Sequence, residues 1–370
     1  MSAAAPLLPE MIVDSFAGGG GASEGIKIAT GRGPDLAINH DAHAVQVHQL
    51  NHPHCLHLCE DVFEVDPCSV CAGRRVGLAW FSPDCTHFSR AKSGKPVDSK
   101  IRGLAWVVRD WAKAVHPRVN IIENVQEFLD WGPLDENDKP IKARKGETFR
   151  RWVAALRAEG YAVDWKILVA SDYGAPTSRE RLFIIARNDG LPIVWPEPTH
   201  GKDGLEPVGA HTCIDWTIMG TLVTETSNVL KTRQRLEQGN QRYLVNDPDP
   251  YITRLPDGRL VGAWIARHYT GMVGRSIREP MSTITKVDHH GLVTTELIPD
   301  RKGPIKYRGK KYRLGDTYHR MLQPRELATA MSFGEEYALI GNKRAQTARI
   351  GNAVCPLLAA AVVAANYTPE

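Results

Sequence analysis

The chain has 370 residues, 42% of them hydrophobic and 24% charged, which supplies a sizeable core and excludes general disorder. Its net charge of +4 is too small to name a partner. Its seven cysteines, an odd number in a chain too large to need disulfide staples, point to a reduced, intracellular enzyme.

Residues 11–200 read as strands alternating with helical stretches, the pattern of a mostly parallel α/β sheet. MIVDSF (11–16) is a short buried strand that runs straight into four glycines. LAINH (36–40), VGLAWFS (76–82), VNIIENV (119–125) and RLFIIAR (181–187) are further apolar runs. Between them, GLAWVVRDWAKAVH (103–116) and FRRWVAALRAEG (149–160) space apolar residues as helices do, and Gly160 stands where a glycine stops a helix.

The pattern changes after Trp195. Residues 196–320 are rich in Pro, Gly, Thr and Asn, with strand-like pieces such as STITKV (282–287) and HGLVTTEL (290–297) and one helix around Leu230 to Gln238. Helical sequence returns at PRELATAMSF (324–333) and CPLLAAAVVAANY (355–367). The expected architecture is therefore a discontinuous α/β domain, 1–200 plus 321–370, with a smaller, irregular, mostly β module inserted late, at 201–320. The apolar run Pro356 to Asn366 is too short to span a bilayer, and the N-terminus lacks the order of a secretory signal, so a cytoplasmic protein is expected.

The inserted module carries 19 Lys or Arg against 13 Asp or Glu. Arg301, Lys302, Lys306, Arg308, Lys310, Lys311 and Arg313 follow one another there without an acidic residue. Such a run serves either as a solvated loop or as a surface for phosphates, and charge alone does not choose.

Four signals fall at strand ends of the first domain. Phe16, Ala17 and the glycines Gly18 to Gly21 form a strand-to-helix turn that lets backbone approach a ligand, or else a flexible loop. Cys85 follows Pro83-Asp84, with Arg90 and Lys92 close behind to favour a thiolate; a cysteine alone reads equally as a small buried hydrophobe. Glu123-Asn124 supplies a carboxylate suited to acid chemistry or a plain capping pair. Alternation puts Arg179 and Arg181 on one face, suited to a planar oxygen acceptor or to a solvated strand edge.

In this order the four resemble the DNA (cytosine-5)-methyltransferases, bacterial and phage type. Phe16 to Gly21 is similar to the family's cofactor loop, Cys85-Thr86-His87-Phe88-Ser89 to its nucleophile motif and Glu123-Asn124-Val125 to its ENV motif. Pro176 to Arg181 is similar to QxRxR, and Pro324-Arg325-Glu326 and Gly351-Asn352-Ala353-Val354 to the last two motifs. The resemblance implies a class I S-adenosyl-L-methionine-dependent, Rossmann-like methyltransferase whose inserted module is a target-recognition domain for double-stranded DNA. It implies Cys85 as the nucleophile on C6 of a flipped-out cytosine, Glu123 at N3, Arg181 at O2 and Arg179 supporting the loop. Phe16, Ala17, Gly18, Gly20, Gly21, Asn39, Asp61, Val62 and Asn352 would hold the cofactor. A monomer is expected, with a cognate restriction endonuclease as a possible companion in a restriction-modification pair.

Four positions depart from the pattern: Asp84 for Pro before the nucleophile, Thr86 for Gln after it, Thr177 for the Gln of QxRxR, and Asn39 for the ribose-binding Glu. The same chemistry on transfer RNA and a catalytically inactive DNA-binding relative are the alternatives. Cys55, Cys59, Cys68 and Cys71 suggest a zinc site, but their spacing matches no standard ligand pattern, so ordinary surface and core residues are expected and no metal.

Overall fold

A computed structural model describes residues 9–84, 103–225, 230–268 and 273–370. The nucleophile motif, Cys85 included, lies outside them.

The larger sheet has seven strands: β1 (Met11–Ser15), β2 (Leu36–Ile38), β3 (Leu56–Leu58), β4 (Val76–Phe81), β5 (Val119–Asn124), β6 (Ala162–Val169) and β7 (Glu180–Arg187). Their order is β3-β2-β1-β4-β5-β7-β6. Strands β1 to β5 are parallel, whereas β7 runs antiparallel to both β5 and β6. Every residue of β1, β4 and β5 is buried, which is why these strands read as unbroken apolar runs. Strand order reverses between β1 and β4, and an open α/β sheet forms its ligand crevice at that switch.

Helices α1 (Gly21–Thr30), α2 (Ala42–Asn51), α3 (Pro67–Cys71), α4 (Trp106–Val115) and α5 (Glu147–Ala158) cover the sheet. The expected spacings produce α4, which buries Val107, Val108, Trp111 and Ala112, and α5, which buries Phe149, Trp152, Val153 and Leu156. Gly160 ends α5 at φ +93, a conformation that a side chain would strain.

The second sheet is antiparallel throughout: β8 (Thr221–Leu222), β9 (Ile252–Arg254), β10 (Leu260–Arg267), β11 (Gly274–Ser276), β12 (His290–Pro299), β13 (Ile305–Tyr307) and β14 (Lys310–Met321). The long path is β11-β10-β12-β14-β13, with β8 on β14 and β9 on β10. Helix α6 (Leu230–Asn240) lies against it, and Trp264 of β10 donates from Nε1 to Asn240 Oδ1 at 2.9 Å. One sequence expectation is corrected here. STITKV is not a strand of this sheet; residues 282–287 form an extended strap that leaves it.

The chain then returns to the first domain through α7 (Pro324–Ala330), α8 (Lys343–Asn352) and α9 (Pro356–Asn366). Gly25 of α1 leaves no room for a side chain, since an added Cβ would lie 2.5 Å from Ala359 Cβ, and this lets α9 pack closely. Together, α8 and α9 are apolar enough to pass as a membrane span, but Ala353 to Cys355 separate them and Leu358, Ala359, Val362 and Val363 are buried in the core. That core also takes in Ala263, Ile265 and Leu292 from the second sheet, so one apolar cluster runs under both sheets.

Candidate active site

A cavity of about 280 Å³ opens at the carboxyl ends of β1, β2, β4 and β5. Its floor on one side is the turn after β1. Phe16 takes φ +66 and Gly18 φ +51, and Phe16, Ala17, Gly18 and Gly21 all line the wall. Helix α1 begins there without a side-chain cap, so its first amides are not consumed by a cap and the end carries the positive pole of the helix dipole. Asn39 and Asp41 border the cavity at the end of β2, where Asn39 Oδ1 accepts from the Asp41 amide at 2.8 Å. Asp41 in turn caps α2, accepting from the amides of His43 and Ala44. Val62 and Asn352 complete this side.

The opposite wall is polar. Glu123, buried at the end of β5, faces Arg181 at the start of β7, with Arg181 Nε 3.0 Å from Glu123 Oε1. Both line the cavity, as does Arg179. Antiparallel pairing of β5 and β7 creates this meeting, since Glu123 lies opposite Phe183, two residues along from Arg181. Asn124 Nδ2 donates to the Pro83 carbonyl at 3.1 Å, while Asn124 Oδ1 accepts from the Val125 amide at 2.8 Å. The segment leading towards Cys85 is thereby fastened to β5. Arg179 is buried and donates from Nη1 to the carbonyl of Ile284 at 3.0 Å.

Of the residues expected here, Phe16, Ala17, Gly18, Gly21, Asn39, Val62, Asn352, Glu123, Arg179 and Arg181 meet in one cavity. Gly20 and Asp61 are not on its wall. Gly20 turns towards Tyr337, His52 and His48, and the backbone beside it is held by Tyr337, whose hydroxyl donates to the Gly19 carbonyl at 2.6 Å. Asp61 accepts from the Phe63 amide at 3.1 Å and shapes the turn that brings Val62 inward. Sequence reasoning missed Lys286 and Arg349, which also line the cavity. Lys286 lay unnoticed in the piece taken for a strand, and nothing in the spacing marked Arg349.

Behind the glycine turn lies a buried chain of polar groups. Ser23 Oγ donates to Asp14 Oδ2 at 2.6 Å and meets His48 Nε2 at 2.8 Å, and His48 Nδ1 meets His57 Nε2 at 2.8 Å. Burial raises Asp14 to about 7, with Ser23 opposing, and pushes the Cys55 thiol up to about 12. Burial first, then His52 and His57, lower His48 well below its ordinary value. The four cysteines near position 60 do not converge. Among the described residues, the metal-ligand types that do approach one another in a group of three are His48, Cys55 and His57. Their atoms are already paired, the histidines with each other and Cys55 Sγ with the Leu56 carbonyl.

The basic run also takes shape. Arg301, Lys302, Lys306, Arg308, Lys310, Lys311 and Arg313 are all exposed on the β13–β14 hairpin and its approach, while Ile305 and Tyr312 face inward. Lys306 stands directly opposite Lys311, a like-charge pairing that costs stability unless an anion covers it.

The strand order, with an antiparallel β7 between β5 and β6, and the glycine turn at the switch point define a Rossmann-like methyltransferase fold. The model of the C-5 cytosine-specific DNA methylase family matches residues 11–367, and the chain belongs to that family. It is a DNA cytosine-C5 methyltransferase. It is 25% identical to the Type II methyltransferase M.SacI of Streptomyces achromogenes, over 96% of this chain and 92% of the relative. It is 26% identical to the Type II methyltransferase M1.HphI of Haemophilus parahaemolyticus, over 95% and 85%. In structure it is similar to a DNA modification methyltransferase encoded within an Escherichia coli prophage (TM-score 0.60, 17% identity, 96% and 97% covered). It is also similar in fold to the DNMT2 of Spodoptera frugiperda (TM-score 0.57, 15% identity, 95% and 97% covered).

Proposed function

We propose that the chain transfers a methyl group from S-adenosyl-L-methionine to C5 of a cytosine flipped out of duplex DNA, through a covalent bond between Cys85 and C6. The observation that carries this reading is the Glu123–Arg181 pair standing across one cavity from the glycine turn.

The cavity fits the cofactor on chemical grounds. The uncapped α1 terminus suits a carboxylate, the Asn39 and Asp41 pair at the end of β2 suits ribose hydroxyls, and Phe16 offers an aromatic face. Phe16, Ala17, Gly18, Gly21, Asn39, Val62 and Asn352 would hold it. When bound, it supplies an electrophilic methyl group.

Cytosine C5 is a poor nucleophile until electrons are pushed into the ring. Cys85 as thiolate attacks C6 and breaks the ring's aromaticity. Glu123 donates to or protonates N3, where charge develops, and Arg181 holds O2 while its Nε keeps Glu123 in place. After C5 is methylated, a base removes the C5 proton and elimination releases Cys85. The reacting atoms are inside the duplex, so the base leaves the stack first. The hairpin carrying Lys310 and Lys311 supplies phosphate contacts, and the second sheet supplies the surface that selects a sequence.

Methyl-sequencing of plasmid DNA from cells expressing the wild type or Cys85→Ala tests this. A cytosine context protected only by the wild type supports it and names the target. Fully converted plasmid in both, with tritium transfer to transfer RNA, would replace the DNA substrate by RNA.

A further inference from the structure

The strap between β11 and β12 leaves the second sheet, crosses the first domain and comes back. On the way out, Met281 exchanges backbone bonds with Pro176 and Ser178, donating to one carbonyl at 2.8 Å and accepting from the other amide at 2.7 Å. Arg179 then grips the Ile284 carbonyl. At Thr285 the strap passes so close to α8 that a Cβ on Gly351 would lie 2.2 Å from the Thr285 carbonyl carbon. The next residue is Lys286, on the cavity wall.

Both ends of the strap are tied to each other by side chains. Ser282 Oγ and His290 Nε2 are 2.6 Å apart, and His290 Nδ1 and Asp288 Oδ1 are 2.6 Å apart. An ionised Asp288 only accepts, so His290 carries its proton on Nδ1 and, when neutral, accepts from the Ser282 hydroxyl through Nε2. The order Ser–His–Asp is that of a hydrolase, yet Ser282 is only 6% exposed and His290 2%, so no substrate reaches the hydroxyl. The arrangement fixes geometry instead. It joins the first residues of the strap to the first residue of β12, and the segment between them is the one that carries Lys286.

We propose that His290 is a positioning residue for methyl transfer: by bonding Ser282 from the start of β12, with Asp288 orienting its ring, it closes the strap into a fixed loop and sets Lys286 against the reacting base. This rests on the reading of the cavity as the methyl-transfer site. The tie lies wholly within the inserted module, so it acts through the strap's placement rather than by touching the base.

The two ring nitrogens allow a discriminating test. In His290→Asn the side-chain amide stands near Nδ1 and keeps Asp288 while losing Ser282. In His290→Gln it reaches near Nε2 and keeps Ser282 while losing Asp288. Transfer of tritiated methyl groups to mixed-sequence plasmid DNA is measured for both variants and for Ser282→Ala, together with hydrogen exchange of residues 281–287. Expected is a kcat lower by about tenfold to hundredfold in Ser282→Ala and His290→Asn, with KM for DNA within about twofold, faster exchange in the strap, and recovery of most of the rate in His290→Gln. Equal kcat per folded molecule in all three variants would leave only a structural role and overturn the proposal. So would rescue by Asn rather than Gln, or labelling of Ser282 by a fluorophosphonate. A wild type that transfers nothing to plasmid would remove the reading of the site and the positioning role with it. An active wild type with unaltered variants would remove the positioning role alone.

Discussion

Glu123 and Arg181 meet at 3.0 Å because β7 runs antiparallel to β5, so a residue at the end of one strand faces a residue at the start of the other. A carboxylate and a guanidinium held this way are preorganised for a planar ring with an acceptor beside a nitrogen. In Glu123→Gln the shape remains and the acid is lost. Methyl transfer is expected to fall by about 10²- to 10⁴-fold. DNA binding measured by filter retention should stay near wild type, and near-normal turnover in the variant would remove Glu123 from the chemistry.

Asn124 fastens the Pro83 carbonyl and its own neighbour's amide. Asn124→Ala leaves both without that partner, at a cost of about 1–3 kcal/mol. The rate should fall further than this loss of stability accounts for, because the released segment leads to Cys85. Denaturant midpoints and single-turnover rates measured together would show this. A variant that is destabilised but transfers methyl at the wild-type rate would make Asn124 a capping residue only.

The exposed hairpin places Lys306 opposite Lys311. Neutralising Lys310 and Lys311 together should reduce the slope of log K against log salt for duplex DNA by about two, since each phosphate contact contributes about 0.9. The preferred sequence should not change. An unchanged slope would make the hairpin an ordinary solvated surface.

Much of this was legible in the chain. Strands β1, β4 and β5 are buried on both faces and so stand out as unbroken apolar runs, and Gly160 marked the end of α5 through the one property that glycine alone has. The residues of the cavity were legible as separate pieces at strand ends. Their convergence depends on tertiary pairing, above all the antiparallel β7, which no local pattern encodes. The twelve residues of β14 were hidden by their polarity, since one face is solvated and cationic. STITKV misled for the opposite reason. Met281 and Ile284 are buried as in a strand, but the Met281 backbone pairs with Pro176 and Ser178 and the Ile284 carbonyl accepts from the Arg179 side chain, so neither joins the sheet. Asp61 and Gly20 were placed on the cavity by motif position, while the structure uses their atoms to shape turns.

Asp14 gives a prediction about pH. It is wholly buried, its carboxylate accepts only from Ser23 among the described hydrogen bonds, and burial raises it from 3.8 to about 7. The folded protein therefore keeps a proton that the unfolded chain has already released between about pH 4 and pH 7. Stability contributed by this group is full below about pH 4 and is lost as pH rises through about 7. His48 acts in the opposite sense, since its lowered value penalises the fold as pH falls below 6.5, but it is present with and without the carboxyl. Comparing the wild type with Asp14→Asn at each pH therefore isolates Asp14. The variant should gain on the wild type steadily from pH 4 to pH 7, by on the order of a few kcal/mol in total, and then run parallel to it. Urea midpoints at half-unit intervals would show this, whereas curves that stay parallel from pH 4 upward would mean that Asp14 is ionised in the fold and balanced by its neighbours.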